Sequence, residues 1–216
     1  MQIEPQILDL FPTPLYVTEL PLKYSSILPW FFKQEMLSDP EHVDQSNYGQ
    51  RSKNSYILNE PEASGLAEYI LGEVENFAQN TLHFDYPKFK FGQSWLSFKL
   101  PGQLHTIHSH PNSLISGVFY FGDEDESIPA IKFHKITTTQ NVSYISPKYK
   151  PNKGKSKYAS EFFSINYKPG LLLLFPSYLY HSVPINKTDK VRCSLAFNSI
   201  PVDGFGQEQT LTELKF

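Results

Sequence analysis

The sequence predicts a mainly β protein, a helix-buttressed sandwich or jelly roll, on three observations. Thirteen Tyr, seventeen Phe and seventeen Pro stand against two Met, a composition of strands and turns rather than of a helical bundle. Helical patterns are confined to the chain before Phe89. From Phe89 onward at least six short β-rich runs follow one another, separated by turn residues. Helices first and strands afterwards is the order expected of helices packed outside a β core. With 216 residues, 40% of them hydrophobic, the chain can fill such a core as a single domain. Residues 1–88 then supply an N-terminal strand and buttressing helices, and 89–216 the jelly-roll core.

The elements follow in order. "FPTPLYVTEL" reads as a strand flanked by prolines, and "YSSILPWFFKQEML" as a short helical piece interrupted at Pro29. A stronger helix comes next. Asn59 is placed to cap it, Glu62 completes a capping box, and Ala63, Leu66, Ile70, Val74 and Phe77 form one apolar stripe. The expected strands are "FGQSWLSFKL", "SGVFYF", "AIKFHKI", "EFFSINY", "GLLLLF" and "RCSLAFNSI". A lysine-rich segment at 146–158, with prolines and a glycine between its cations, reads as a solvated loop or a lid.

Bulk properties exclude several function classes. A net charge of −3 and an isoelectric point near 6.2 give no general nucleic-acid or membrane surface. The longest apolar stretch, "GLLLLFPSYLY", is too short to span a bilayer. The single cysteine, Cys193, permits no internal disulfide, and the N-terminus lacks the pattern of a signal peptide, so a cytoplasmic location is expected. The Asn141 and Asn186 sequons are then chance matches. No phosphate loop, nucleophile elbow or cysteine pair is present. On its apolar strand face, Cys193 is expected to be buried and inert.

The segment "LHTIHSHPNSLISGVFYF", 104–121, concentrates three of the seven histidines. Residues two apart in an extended chain face the same way, so His108 and His110 share a face. Two neighbouring imidazoles chelate Fe, Zn, Cu or Ni. His181 answers them from beyond "GLLLLFPSYLY". In the last strand Arg192, Ser194, Ala196 and Asn198 share one face, and an arginine and a serine two apart can jointly hold a carboxylate. His105 falls outside the alternation and is a neighbour rather than a ligand. His42, His83 and His134 show no partner pattern.

With these residues in view, the chain resembles the Fe(II)- and 2-oxoglutarate-dependent oxygenases, and within them a mostly uncharacterised group. The resemblance rests on "FPTPLY", Ser94-Trp95, "HSHPNSLISGVFYF", "LFPSYLYHSVPIN" and "RCSLAFN". It implies a double-stranded β-helix, a cupin-like jelly roll, with Fe(II), 2-oxoglutarate as cosubstrate and O2. By position, His108 and His110 stand where the superfamily has His-x-Asp, and His181 is the distal ligand. Arg192 and Ser194 are the cosubstrate clamp, and Tyr120 matches a tyrosine that touches the same carboxylate. The departure is His110 in place of the carboxylate; the acids of "GDEDE", 122–126, lie a strand away and are expected in a turn. The implied activity is hydroxylation of a small-molecule or peptidyl substrate with release of succinate and CO2. Two rivals keep the fold: a three-His zinc hydrolase, and a jelly roll that binds without catalysis.

Overall fold

The computed structural model describes residues 6–37, 49–135 and 156–216. His42 and Asn141 lie outside them, as does the lysine-rich segment up to residue 155. At its end Lys157 forms an ion pair with Asp9 at 2.9 Å.

Two antiparallel sheets face each other in a jelly roll. The larger contains β1 (Tyr16–Glu19), β2 (Gln50–Arg51), β3 (Phe89–Lys99), β5 (Ile115–Phe121), β8 (Leu171–Pro176) and β10 (Arg192–Pro201), in the order β1-β8-β5-β10-β3-β2. The smaller contains β4 (His105–His108), β6 (Ile131–His134), β7 (Phe162–Ile165) and β9 (His181–Val183), in the order β4-β9-β6-β7. All six expected strands form. The short β2, β4 and β9 escaped sequence reading because two to four residues carry no measurable alternation.

Two cores explain the apolar pattern. One lies between the larger sheet and the helices, the other between the sheets. Strand β8 supplies Leu172 and Leu174 to the first and Leu171, Leu173 and Phe175 to the second. A strand covered on both faces reads as an unbroken apolar run, which is why "LLLLF" shows no alternation. Strand β5 is buried throughout for the same reason.

The helices pack outside the larger sheet. In α2 (Ser64–Asn76), Leu66, Ile70 and Val74 are buried, and Phe77 follows in a π-type turn. Each such side chain contributes about 1.5–3 kcal/mol by leaving water. The capping box does not form. Asn59 ends one 3-10 turn, Pro61 opens another, and α2 starts after Ala63 with no side-chain cap. Pro29 does not interrupt its helix either. It sits in the first turn of α1 (Leu28–Phe31), where a missing N–H breaks no helical hydrogen bond.

Gly117 on β5 lies opposite Phe197 of β10, and an added Cβ would stand 2.2 Å from the Phe197 ring and 2.9 Å from Leu174. Gly117→Ala is therefore expected to destabilise the protein by about 1–3 kcal/mol through overpacking, as measured by denaturant unfolding. An unchanged midpoint would show that the ring relaxes freely.

Candidate metal centre

The histidines come together through strand pairing. His108 on β4 stands opposite His181 on β9, and His181 stands opposite Phe133 on β6. His110 lies just beyond β4, and its backbone N–H donates to the Ser177 carbonyl at 3.0 Å, which fixes the turn. The rings of His108 and His181 lie 4.2 Å apart by centroid, and His110 lies 5.0 Å from His181. One ring nitrogen from each of the three falls within 4.8 Å of the others, so the trio can hold a metal ion.

Backbone carbonyls set the tautomers. Nδ1 of His108 lies 2.9 Å from the Thr106 carbonyl, and Nδ1 of His181 lies 2.9 Å from that of Leu179. A carbonyl only accepts, so Nδ1 donates in both and Nε2 keeps the lone pair a metal needs. Phe175 packs edge-on to His181 at 4.9 Å, and Trp95 lies 5.9 Å from His110. These rings limit rotation of the ligand imidazoles.

Burial keeps the cluster neutral. Desolvation, reinforced by neighbouring imidazoles, lowers His181 to about 3 and His110 to about 4. His105 falls to about 2 for the same reasons, and His108 is lowered chiefly by burial. In the unfolded chain these groups take up protons near pH 6.5, so below that pH the unfolded state binds more protons than the folded one. The metal-free protein should therefore lose stability as pH falls from about 6.5 towards 4, by up to about 1.4 kcal/mol per pH unit per histidine. Melting temperatures across that range test this. A flat profile would mean that the cluster opens to water.

The cosubstrate residues expected from sequence share one inner face of the larger sheet. Ser194 pairs with Ser97 on one side and with Tyr120 on the other, while Arg192 pairs with Lys99. Arg192 is 2% exposed, and its Nε donates to the Pro129 carbonyl at 3.2 Å. The guanidinium lies 4.8 Å from the Tyr120 ring centre, and among the described residues the buried Tyr120 hydroxyl has no hydrogen-bond partner at bonding distance and angle. Burial raises the Tyr120 pKa, with the Arg192 charge opposing it. A buried guanidinium beside an unsatisfied hydroxyl is a cradle suited to a carboxylate.

Arg192, Ser194, Lys99, Ser97 and the three histidines line one cavity of about 50 Å³, and among the described residues no Asp or Glu lines it. A second cavity, of about 580 Å³, is lined by His105, His108 and His110 but not by His181. Its wall includes Trp95, Tyr56, Gln93, Asn112, Asn198 and Arg51. All three histidines thus line a small cationic chamber, and His108 and His110 also line the larger cavity.

Sequence reading missed Lys99, and it picked out Trp95 only as part of the resemblance, without a place beside the histidines. Both sit at the same parity of β3 as Ser97, so the signal was a lysine on one face of an otherwise strand-like run. Their proximity to β10 is a matter of pairing that the local sequence does not carry. His105 stacks on His108 with centroids 4.1 Å apart, across a break in register between β4 and β9. His134 bonds to Ser182 Oγ at 2.8 Å, away from the trio. Asp125 of the acidic turn accepts from Ser127. Cys193 is buried, and desolvation raises its thiol to about 12. Asn186 is buried with its amide bonded to the Lys99 and Lys190 carbonyls, so it offers no acceptor for glycosylation. Among the described residues no helix is long and apolar enough to cross a membrane.

Residues 93–198 match the family described as "Putative 2OG-Fe(II) oxygenase". None of the curated proteins matches the sequence. Among solved structures, the non-heme alpha-ketoglutarate-dependent epimerase SnoN from nogalamycin biosynthesis aligns with a TM-score of 0.59 at 10% identity, over 88% of this chain and 80% of that one. HygX from Streptomyces hygroscopicus, solved with nickel, 2-oxoglutarate and hygromycin B, aligns with a TM-score of 0.59 at 12% identity, over 88% and 83%. A Pseudomonas putida prolyl-4-hydroxylase aligns with a TM-score of 0.54 at 13% identity, over 86% and 92%. At such identities the likeness is one of fold. The matched segment runs from β3 to β10, contains the whole histidine trio and the Arg192–Ser194 face, and is similar over that stretch to the 2OG-Fe(II) oxygenases.

Proposed function

We propose that the protein is a non-haem Fe(II)- and 2-oxoglutarate-dependent hydroxylase, with His108, His110 and His181 as its iron ligands. One observation carries this reading: three neutral imidazoles able to share a metal ion line the same small chamber as the buried cations Arg192 and Lys99. The donor set fits. Neutral imidazole suits Fe(II), and three ligands on one side leave positions for a chelating cosubstrate and dioxygen. When bound, iron and 2-oxoglutarate supply the oxidising chemistry, in which O2 is consumed, succinate and CO2 leave, and the substrate gains a hydroxyl.

The chain's own residues bind and orient. Arg192 and Ser194 hold the distal carboxylate of 2-oxoglutarate, and the Tyr120 hydroxyl donates to it. The small chamber is lined by both buried cations and by all three histidines, so a distal carboxylate held at Arg192 directs the rest of the cosubstrate towards the histidines. The primary substrate then enters from the larger cavity, which His108 and His110 also line. Val118, Ile131 and Phe175 in the chamber wall keep water from the reacting atoms.

The three-His zinc hydrolase leaves a buried guanidinium in the same chamber without a task. A purely binding jelly roll does not call for neutral histidines aligned by backbone carbonyls. We also take residues 1–216 as one domain, since β1 and β2 belong to the larger sheet. A single buried cysteine supports a cytoplasmic setting.

The test is turnover of 2-oxoglutarate to succinate under air, with Fe(II) or Zn(II) added to metal-stripped protein. Slow succinate formation with Fe(II) alone is expected. Hydrolytic activity with Zn(II) and no 2-oxoglutarate binding would overturn the reading.

A further inference from the structure

Among the described residues, Lys99 is the one charged residue of the chamber to which the family pattern assigns no role. It is 4% exposed, and its neighbour across the β3–β10 pairing is Arg192, itself 2% exposed. The ammonium donates to Ser97 Oγ at 3.0 Å, and among the described residues no acid lines the space it shares with Arg192. Its position is fixed from several sides. Asn186 binds its carbonyl at 3.0 Å, and the Gly49 backbone covers its stem so closely that a Cβ there would lie 2.6 Å from Lys99 Cδ.

Burying one cation is costly, and burying two together with no anion costs more. Desolvation first, and then the Arg192 charge, pull the Lys99 ammonium down to about 7, which shows the strain of that arrangement. A lysine kept only for packing would be better served by methionine, which has similar length and no charge. Two adjacent cations lining one small chamber are compensated when an anion enters.

We propose that Lys99 is a second cosubstrate-binding residue, which with Arg192 brackets the distal carboxylate and makes the site selective for a dianionic oxoacid. This rests on the 2-oxoglutarate reading above and adds a residue and a selectivity to it. A 2-oxoacid without the distal carboxylate leaves both cations unpaired in the chamber, so it binds weakly whatever its fit at the histidines.

The experiment is calorimetric titration of the Mn(II)-loaded protein with 2-oxoglutarate and with 2-oxopentanoate, which carries a methyl in place of the distal carboxylate. Lys99→Met is expected to weaken 2-oxoglutarate binding by about ten- to a hundredfold, the scale of a charged hydrogen bond. Affinity for 2-oxopentanoate and for Mn(II) should hold, and the ligand-free melting temperature should rise because a buried charge has gone. A structural role alone gives a different signature: a lower melting temperature with both oxoacids weakened alike. That result overturns the proposal, as does unchanged 2-oxoglutarate affinity. Lys99→Gln, which keeps a polar donor of similar length, gives the same reading if the methionine variant does not fold. If the wild-type protein with Mn(II) binds neither oxoacid, the oxygenase reading itself fails. If it binds 2-oxoglutarate and the Lys99 variants bind it equally well, only the role of Lys99 fails.

Discussion

Arg192→Ala is expected to weaken 2-oxoglutarate binding by about thirty- to several-thousand-fold. Removing one member of a buried charge pair costs roughly 2–5 kcal/mol, at about 1.4 kcal/mol per tenfold. With Lys99 still in the chamber, the loss should lie towards the smaller figure, and Arg192→Ala combined with Lys99→Met should lose more than either alone. Arg192→Lys keeps the charge without the two-point geometry and should lose less. Ser194→Ala should lose least, because it removes one neutral hydrogen bond. Titration of the Mn(II)-substituted protein measures all four. Mn(II) affinity should stay constant across the series, since none of these residues belongs to the histidine trio. Equal affinity for 2-oxoglutarate in wild type and Arg192→Ala would remove this strand from the cosubstrate site.

The metal gives the second large effect. His108→Ala, His110→Ala and His181→Ala should each lower Mn(II) or Fe(II) affinity by more than about a hundredfold, because changing even an outer partner of a ligand costs about 10–100-fold. His110 is the informative position. His110→Asp recreates the His-x-Asp pair of the wider superfamily and should retain metal, since a carboxylate is a competent ligand that lowers the charge of the centre. His105→Ala is the control. His105 stacks on His108 without joining the trio, so its loss should cost metal affinity far less than the loss of a ligand. If His110→Ala bound metal as tightly as wild type, the centre would hold two histidines and His110 would act as their neighbour.

Local sequence determined a good deal of this molecule. Strand runs from Phe89 onward were legible because alternation and β-branched or aromatic content are short-range properties. The stripe of α2 was legible because its period is fixed by helix geometry. Alternation likewise put Arg192 with Ser194, and His108 with His110, on shared faces before any partner was known. Helix starts were less legible. Asn59 and Glu62 had the spacing of a capping box, yet Pro61 opened a separate 3-10 turn between them and α2 began later.

Only the tertiary structure decided what met what. Periodicity gives the parity of a strand but not the strand beside it, and a pairing between β3 and β10 spans most of the jelly-roll segment. That pairing set Lys99 against Arg192 and turned a lysine that read as unremarkable into a second buried cation. Pairing of β4 with β9 likewise brought His181 to His108, and the register break between them left His105 stacked beside the trio instead of within it. The sequence named the chemical groups because side-chain type and parity are local. Their distances, neutrality and enclosure came from long-range register and burial, which no local pattern encodes.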